Sequence, residues 1–308
     1  MVHTPTREQA ITKMDAACSH GIALQGPTTN LDFVRAIVIS DTFGKGKTLT
    51  SFLDTSFTYR PCGIDVLSAG PYSTIQDFPG RPALGHGIPK GGPMDSLSAR
   101  IANILVGNPQ GKEVIETTLR GPELLFLSAA VVSVCGASAN VTIDGNERPM
   151  WSTLVVRSGQ TLKVDSVNGA GCRVYISVKG GFPHILVVMG SKSTVPSLKF
   201  GGCQGRPLRQ GDFLHLENAT AEWATEAREY SLPTGMVPDM AIKEVYVMQG
   251  PHDSQDIMTA EDRDMLYSTP WNVGHNSSRT GIRMVGPAPQ WARTNGGEAG
   301  SHPSNYLE

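Results

Sequence analysis

The sequence carries no excess of either charge. Its 26 Lys and Arg face 28 Asp and Glu, a formal net charge of −2, so it lacks the basic footprint that binding to nucleic acid or an anionic membrane requires. It is also poor in cysteine. Cys18, Cys62, Cys135, Cys172 and Cys203 are odd in number, widely spaced and never in a C-x-x-C pair, which argues against a disulfide framework and a thiolate zinc site. No apolar run is long enough to span a bilayer, and Met1-Val2-His3-Thr4-Pro5 has neither the basic start nor the hydrophobic stretch of a signal peptide. The expectation is a cytoplasmic protein. Only 18% of residues are charged, whereas there are 34 glycines and 21 prolines, a balance that implies many tight turns and few long surface helices.

Several catalytic signatures are missing too. Gly46-Lys47-Thr48 looks like the end of a phosphate loop, but Asp41 stands where the first glycine must be. Gly85-His86-Gly87 opens like a dinucleotide fingerprint, yet the third glycine position is Lys90 and no βαβ unit surrounds it. There is no H-E-x-x-H, no close histidine pair and no G-x-S-x-G, so a zinc hydrolase and a nucleophile-elbow hydrolase both lack their minimum parts, and no metal ligands are assigned.

Two amphipathic segments lead the chain. Residues 7–18 place Ile11, Met14, Ala17 and Cys18 on one helical face behind Thr6, and Asn30 precedes Leu31, Val34, Ile37 and Val38 at helical steps. Two short helices make no core, so residues 1–61 read as the remnant of a larger domain. From Ile64 the texture turns β-rich: Ile64–Leu67, Val114–Leu119, Val131–Cys135, Val141–Ile143, Leu154–Arg157, Thr161–Val164 and Cys172–Val178, with turn signals such as Asp144-Gly145 between them. Regular short strands mean a barrel or a sandwich. One helix interrupts them, with Asp95 at its N-cap, Leu97, Ile101, Ile104 and Leu105 as the stripe expected to pack on the sheet, and Gly107 just past its end. Residues 217–239 read as a connection, Ile242–Met248 as a further strand, Thr259 with Asp262 as a helix start, and Gly281–Val285 as a last strand. The reading is therefore mainly β, with a domain over 62–235 and the start of a second over 236–308.

The runs Gln76-Asp77-Phe78-Pro79-Gly80-Arg81, Gly85 to Asp95 and Ser98 to Asn108, then Glu116 to Pro122, Gly180-Gly181-Phe182, Gly190-Ser191-Lys192-Ser193-Thr194, Gly201 to Arg206 and Gly211-Asp212, resemble the KipA family, also called allophanate hydrolase subunit 2. The resemblance implies cyclophilin-like β-barrel subdomains preceded by a short α-helical remnant. Residues 7–61 are similar to the end of a biotin carboxylase domain, and the stretches Asn276 to Gly281, Gly286 to Arg293 and Gly296 to Asn305 resemble the fused, urea carboxylase version of the family. A 5-oxoprolinase subunit should start near Ile64 without the leading segment; a KipA-type regulator would instead bind a partner protein. What the urea carboxylase resemblance implies is transfer of a carboxyl group from carboxybiotin to urea, giving allophanate. Biotin would sit on a domain outside this chain, since Lys13-Met14 follows Thr12 rather than Met. ATP and Mg would serve the absent part of the biotin carboxylase domain, and the expected partners are the biotinyl domain and a KipI-like half. Family members are expected to continue past Glu308 with a further site-lining strand.

The first site candidate is Gly91-Gly92-Pro93-Met94-Asp95, where glycines permit close approach and a helix N-terminus favours negative charge. The family usually carries Ser where Gly91 stands, so no hydroxyl is offered there. Asn276, Arg279 and Thr280 form the second, with Arg279 suited to a carboxylate and Asn276 to a carbonyl oxygen. Glu298 and His302, in a glycine-rich loop, are candidates for orienting substrate or moving a proton. Glu116 reads equally as a paired structural carboxylate or a pocket residue. Trp151, Trp223, Trp271 and Trp291 read as core or interface anchors.

Overall fold

The computed structural model describes residues 2–18, 30–59, 61–82, 85, 87–218, 220–241, 244–250, 253–279 and 281–293. The chain divides into two compact units, Met1–Met240 and Ala241–Glu308. The first opens with helices α1 (Arg7–Ala16), α2 (Leu31–Ile39), α3 (Asp41–Gly44) and α4 (Phe52–Thr55). Thr6 caps α1 by accepting the Gln9 N–H. Among the described residues these helices enclose little: α1 buries no residue, and the contacts include Phe33 against Phe57 and Tyr59, Phe52 against Phe57, Arg7 to the Phe43 carbonyl, and the Arg35–Asp15 ion pair at 2.6 Å.

The body of this unit is two antiparallel sheets. One runs in the order β11 (Phe213–His215), β1 (Gly63–Ser68), β4 (Glu123–Phe126), β9 (Thr161–Val167), β6 (Ala139–Ile143), β7 (Asn146–Arg148); the other runs β2 (Ser73–Gln76), β3 (Val114–Thr118), β10 (Arg173–Val178), β5 (Ala130–Gly136), β8 (Thr153–Val156). A single apolar core joins them, built from residues such as Ile64, Phe126, Val132, Leu162 and Ile176. The six-stranded sheet is buried on one side only, and β4, β6 and β9 accordingly alternate between covered and half-covered positions. In the five-stranded sheet every residue of β5 is buried, because the second face is covered by helix α5 (Ser96–Leu105).

Helix α5 sits differently from the expectation. Its buried residues are Ser98, Ala99, Ala102 and Asn103; of the expected stripe Ile101 and Leu105 pack against the buried cluster, while Leu97 and Ile104 are 51% and 54% exposed. Small residues let the helix approach until Ser133 Oγ reaches the Ala102 carbonyl at 2.6 Å and Thr153 Oγ1 the Leu105 carbonyl at 2.6 Å. Asn103 and Asn108 then close the helix onto the sheet through Ser177 and the Val178 carbonyl. Helix α6 (Thr220–Glu226) lies inside the stretch read as a connection and packs against β5.

The second unit holds helix α7 (Ala260–Ser268), capped reciprocally by Thr259 and Asp262, and the short pair β12 (Asn272–Val273) with β13 (Met284–Val285). The strand expected at Ile242–Met248 is absent from its described residues: Val245, Tyr246 and Met248 are exposed and outside any ladder. Alternation marks a strand only where a neighbour supplies hydrogen bonds. No helix among the described residues is long and apolar enough to cross a membrane.

The packing of α5 makes a direct prediction. Ile104→Ala should cost less than about 1 kcal/mol, whereas Ala102→Leu should cost about 1–3 kcal/mol by overpacking the helix–sheet contact. Equilibrium denaturation of the two variants checks this, and the reverse ranking would place the apolar stripe on the sheet after all.

Candidate functional site

The motifs that are scattered in sequence meet at one end of β2. Its residues Ser73, Thr74 and Gln76 are fully buried polar groups; Ser73 donates to the Ala69 carbonyl and Thr74 accepts from Gln76. Gln76 donates to the Thr194 carbonyl at 3.2 Å and accepts the Gly92 N–H at 3.1 Å. Asp77 follows, and its carboxylate collects Ser191 Oγ, the Lys192 N–H at 2.8 Å, the Ser193 N–H at 3.1 Å and Ser193 Oγ. Successive backbone N–H groups around one carboxylate form an anion nest.

Arg81 lies in the same cluster and is 1% exposed. Its Nε donates to the Val188 carbonyl at 3.1 Å, Nη2 reaches the Ser191 and Ser193 carbonyls, and the guanidinium stacks over Phe200 at 4.6 Å. Burial lowers its pKa, and the nearby Asp77 charge opposes that shift. The close fit demands glycine at position 201: φ is +70°, and a Cβ there would lie 2.0 Å from the Ser193 carbonyl oxygen. At Gly91, φ is +66° and a Cβ would meet Ser193 Cβ at 2.9 Å and Arg81 Nη1 at 3.2 Å. The segment 201–212 is tied separately, by Arg206 to both Asp212 oxygens at 2.7 Å.

Above this cluster runs the loop Gly91–Asp95. Asp95 is the N-cap of α5, its Oδ1 accepting the Leu97 and Ser98 N–H groups at 3.1 and 3.0 Å. Glu116 on β3 is 1% exposed; it accepts the Met94 N–H at 2.7 Å and the Tyr175 hydroxyl at 3.0 Å, and the Tyr175 oxygen accepts the Asp95 N–H at 2.7 Å. Glu116 and Tyr175 stand directly opposite each other across β3 and β10. Burial raises the Tyr175 pKa far above the ordinary phenol value, so the hydroxyl stays a donor to Glu116. Glu116, open to two readings in the sequence, is thus a buried anchor of the loop. Tyr175 was not among the sequence candidates. Nothing but strand register could have paired it with Glu116.

Gly91, Gly92, Met94 and Asp95 therefore share one structure, with Gly91 and Met94 exposed and Gly92 buried. Asn276 and Arg279 belong to the second unit, in the link between β12 and β13, where Asn276 is exposed and Arg279 half-buried. That link is held by Ser277, which donates to the Gly274 carbonyl and accepts the Arg283 N–H at 3.0 Å. Thr280, Glu298 and His302 lie outside the described residues. Among the described residues no group of three or more His, Cys, Asp or Glu is arranged to hold a metal ion.

Comparison with known proteins adds to the geometry. A family model described as carboxyltransferase domain, subdomain A and B, matches residues 86–308. The chain is 46% identical over its whole length to a protein named putative urea carboxylase from Emericella nidulans, of which it covers 24%, and 38% identical over 99% of its length to the urea amidolyase of Saccharomyces cerevisiae, of which it covers 17%. The solved structure of Kluyveromyces lactis urea carboxylase is similar over 95% of this chain and 26% of that one, with a TM-score of 0.85 and 35% identity. The chain thus spans a quarter or less of the length of the two curated relatives, and the similarity to them includes the leading helices.

Two outcomes follow from the buried network. Asp77→Ala, which leaves four donors around residues 191–193 without their acceptor, should destabilise the first unit by about 2–4 kcal/mol, with Asp77→Asn between it and the native chain in thermal unfolding. For Asp212, burial pushes the carboxyl pKa up, but hydrogen bonds from Arg206 and the Arg209 N–H outweigh it and hold the pKa below its ordinary value. A depressed folded pKa contributes stability that is present above the unfolded value of about 3.9 and is lost as pH falls through the folded one. Asp212→Asn should therefore be less stable at neutral pH and lose less stability on acidification, which unfolding curves from pH 7 to pH 2 would show.

Proposed function

The chain belongs to the carboxyltransferase-domain family, subdomain A and B, and from that premise we propose that it is the part of a biotin-dependent urea carboxylase that receives urea for carboxylation to allophanate. The observation that carries this reading is the likeness to urea carboxylase over the whole chain, leading helices included, together with a solvent-facing loop at Gly91–Asp95 locked from behind by a buried polar network. A 5-oxoprolinase subunit is expected to start near Ile64, without the leading segment.

Biotin, carried on a domain outside this chain, would supply the activated carboxyl group. The chain's own residues would hold and orient the acceptor. Asp95, half-buried with its carboxylate fixed by the helix start, would take a urea N–H, with Gly91, Gly92 and Met94 shaping the contact surface. In the second unit, taken by itself, Arg279 is assigned to a carboxylate and Asn276 to a carbonyl oxygen, Thr280 to substrate binding, and Glu298 and His302 to orienting substrate or moving a proton. ATP and Mg would be used in the biotin-charging part, whose end we place at residues 1–61. We assign 62–235 to the first carboxyltransferase subdomain and 236–308 to the start of the second. The partners on this reading are the biotinyl domain and the KipI-like half, and the setting is the cytoplasm.

A graft tests the reading. This chain, put in place of the matching quarter of the E. nidulans protein, should support urea-dependent allophanate formation, and Asp95→Ala in the graft should lower kcat by about a hundredfold. The purified chain alone, given carboxybiotin and urea, should form none above background. A graft without allophanate formation, or rapid turnover by the chain alone, would overturn the assignment as a urea-receiving portion.

A further inference from the structure

At the opposite end of β2 from the loop Gly91–Asp95, the strands of the six-stranded sheet part. β1 lies between β4 and β11, and its register with β4 shifts between Val66 and Ser68. Leu67 is therefore the extra residue of a bulge, a feature that ends pairing and re-aims side chains. On the β11 side the Gly211 N–H still reaches the Val66 carbonyl at 2.9 Å. Beyond that point a groove of about 430 Å3 opens between the bend Leu67–Pro71, Arg120 and the turn Leu208–Gln210, within the size range of small-molecule sites. Ala69 and Leu208 form its buried apolar wall.

Two arginines line this groove and no carboxylate does. Arg120 stands in the turn ahead of β4 and Arg209 in the turn ahead of β11, so they reach the end of β1 from its two sides, leaving strands about 10 Å apart at the usual sheet spacing. Each backbone is fixed. The Arg120 N–H donates to the Thr118 carbonyl at 2.7 Å around Leu119, whose φ is +62°, a three-residue turn of a rare and strained kind. Thr117 Oγ1 then donates to the Arg120 carbonyl at 2.7 Å, and the Arg209 N–H is held by Asp212 at 2.8 Å. Neither guanidinium makes a hydrogen bond or an ion pair among the described residues. Asp212, the acid nearest to Arg209 in sequence, gives both its oxygens to Arg206.

We infer that this groove binds a small dianion, a phosphate ester or a dicarboxylate, which Arg120 and Arg209 hold from opposite sides. One exposed arginine needs no ligand. Two, placed by fixed turns on one groove with no carboxylate between them, repel each other until an anion answers both. The net charge of the chain is −2, so the attraction comes from this local pair and not from the molecule as a whole. Ser68 and Gln210, which also line the groove, add uncharged donors. The strain at Leu119 has a use on this reading, since it sets Arg120 at the groove. The site goes beyond the proposed urea contact, and neither depends on the other.

The test is a titration of the 15N-labelled chain with phosphate in its dianionic form, succinate and acetate at constant ionic strength, read at the backbone N–H signals of residues 120 and 210. Phosphate or succinate should move both signals saturably, and acetate, with a single charge, should bind about tenfold more weakly than the better dianion. Saturation by phosphate alone supports the site and assigns the phosphate-ester class; saturation by succinate alone supports it and assigns the dicarboxylate class. Arg120→Gln and Arg209→Gln should each weaken the better dianion about tenfold. Both side chains are exposed, so both variants should unfold at the native temperature. Arg148→Gln, on the exposed strand β7, controls for charge alone and should change the affinity less than about twofold. Silence from both dianions, equal binding of acetate, or an equal loss in Arg148→Gln overturns the inference.

Discussion

A guanidinium group removed from water must have its charge and its donors answered by the protein, and in this fold that demand is concentrated on Arg81. Carbonyls from residues 188, 191 and 193, the face of Phe200 and the nearby Asp77 surround it. Removing one member of such an arrangement leaves the rest buried and unpaired, a larger loss than the pair is worth in isolation. The loops around Arg81 are consequently placed relative to one another although they are distant in sequence. Asp77 does the same for residues 191–193 through a carboxylate nest. Rigid loops of irregular backbone then become possible without regular secondary structure to support them.

The sheet provides the other half of this arrangement. Because α5 turns alanines and serines toward β5 and β10, it lies close enough for side-chain hydroxyls of the sheet to reach its carbonyls. That depth sets where its N-terminus emerges. Glu116 and Tyr175, opposite each other in neighbouring strands, meet the loop ahead of the helix at the same height. The position of Asp95 is thus determined twice, once by helix docking and once by the strand pair beneath it. A side chain placed by two independent constraints is held in a single orientation.

Much of this architecture is legible in the residues themselves. Val-, Ile- and Leu-rich runs mark β1, β3, β5, β6, β8, β9 and β10, and Asp95 with Gly107 brackets α5 almost to the residue. Strand β2 was invisible because Ser73, Thr74 and Gln76 carry no apolar signal; their polarity serves the buried network rather than the core. Periodicity places the stripe of α5 at Leu97, Ile101, Ile104 and Leu105; Ile101 and Leu105 do pack against the buried cluster, but Leu97 and Ile104 are turned out, since close approach to the sheet favours the small residues. The strand pattern at 242–248 failed for want of a ladder partner among the described residues of its own unit. The ordered motifs contain the loop Gly91–Asp95, Asp77 and Arg81, which the fold brings together, yet Tyr175 depends on cross-strand register, which no local pattern encodes.

Family likeness and local geometry answer different questions about this chain. The likeness concerns the family to which the chain belongs, and it would be compatible with many arrangements of one loop. The hydrogen bonds decide which backbone groups of that loop remain available. Glycine-rich backbone before a helix is commonly read as a cradle for negative charge, a reading that holds only while its N–H groups remain available. Here a buried carboxylate, a phenol, a glutamine and a capping aspartate have taken them. With those N–H groups committed, the loop is held from within the protein and is not a cradle left open for an anion.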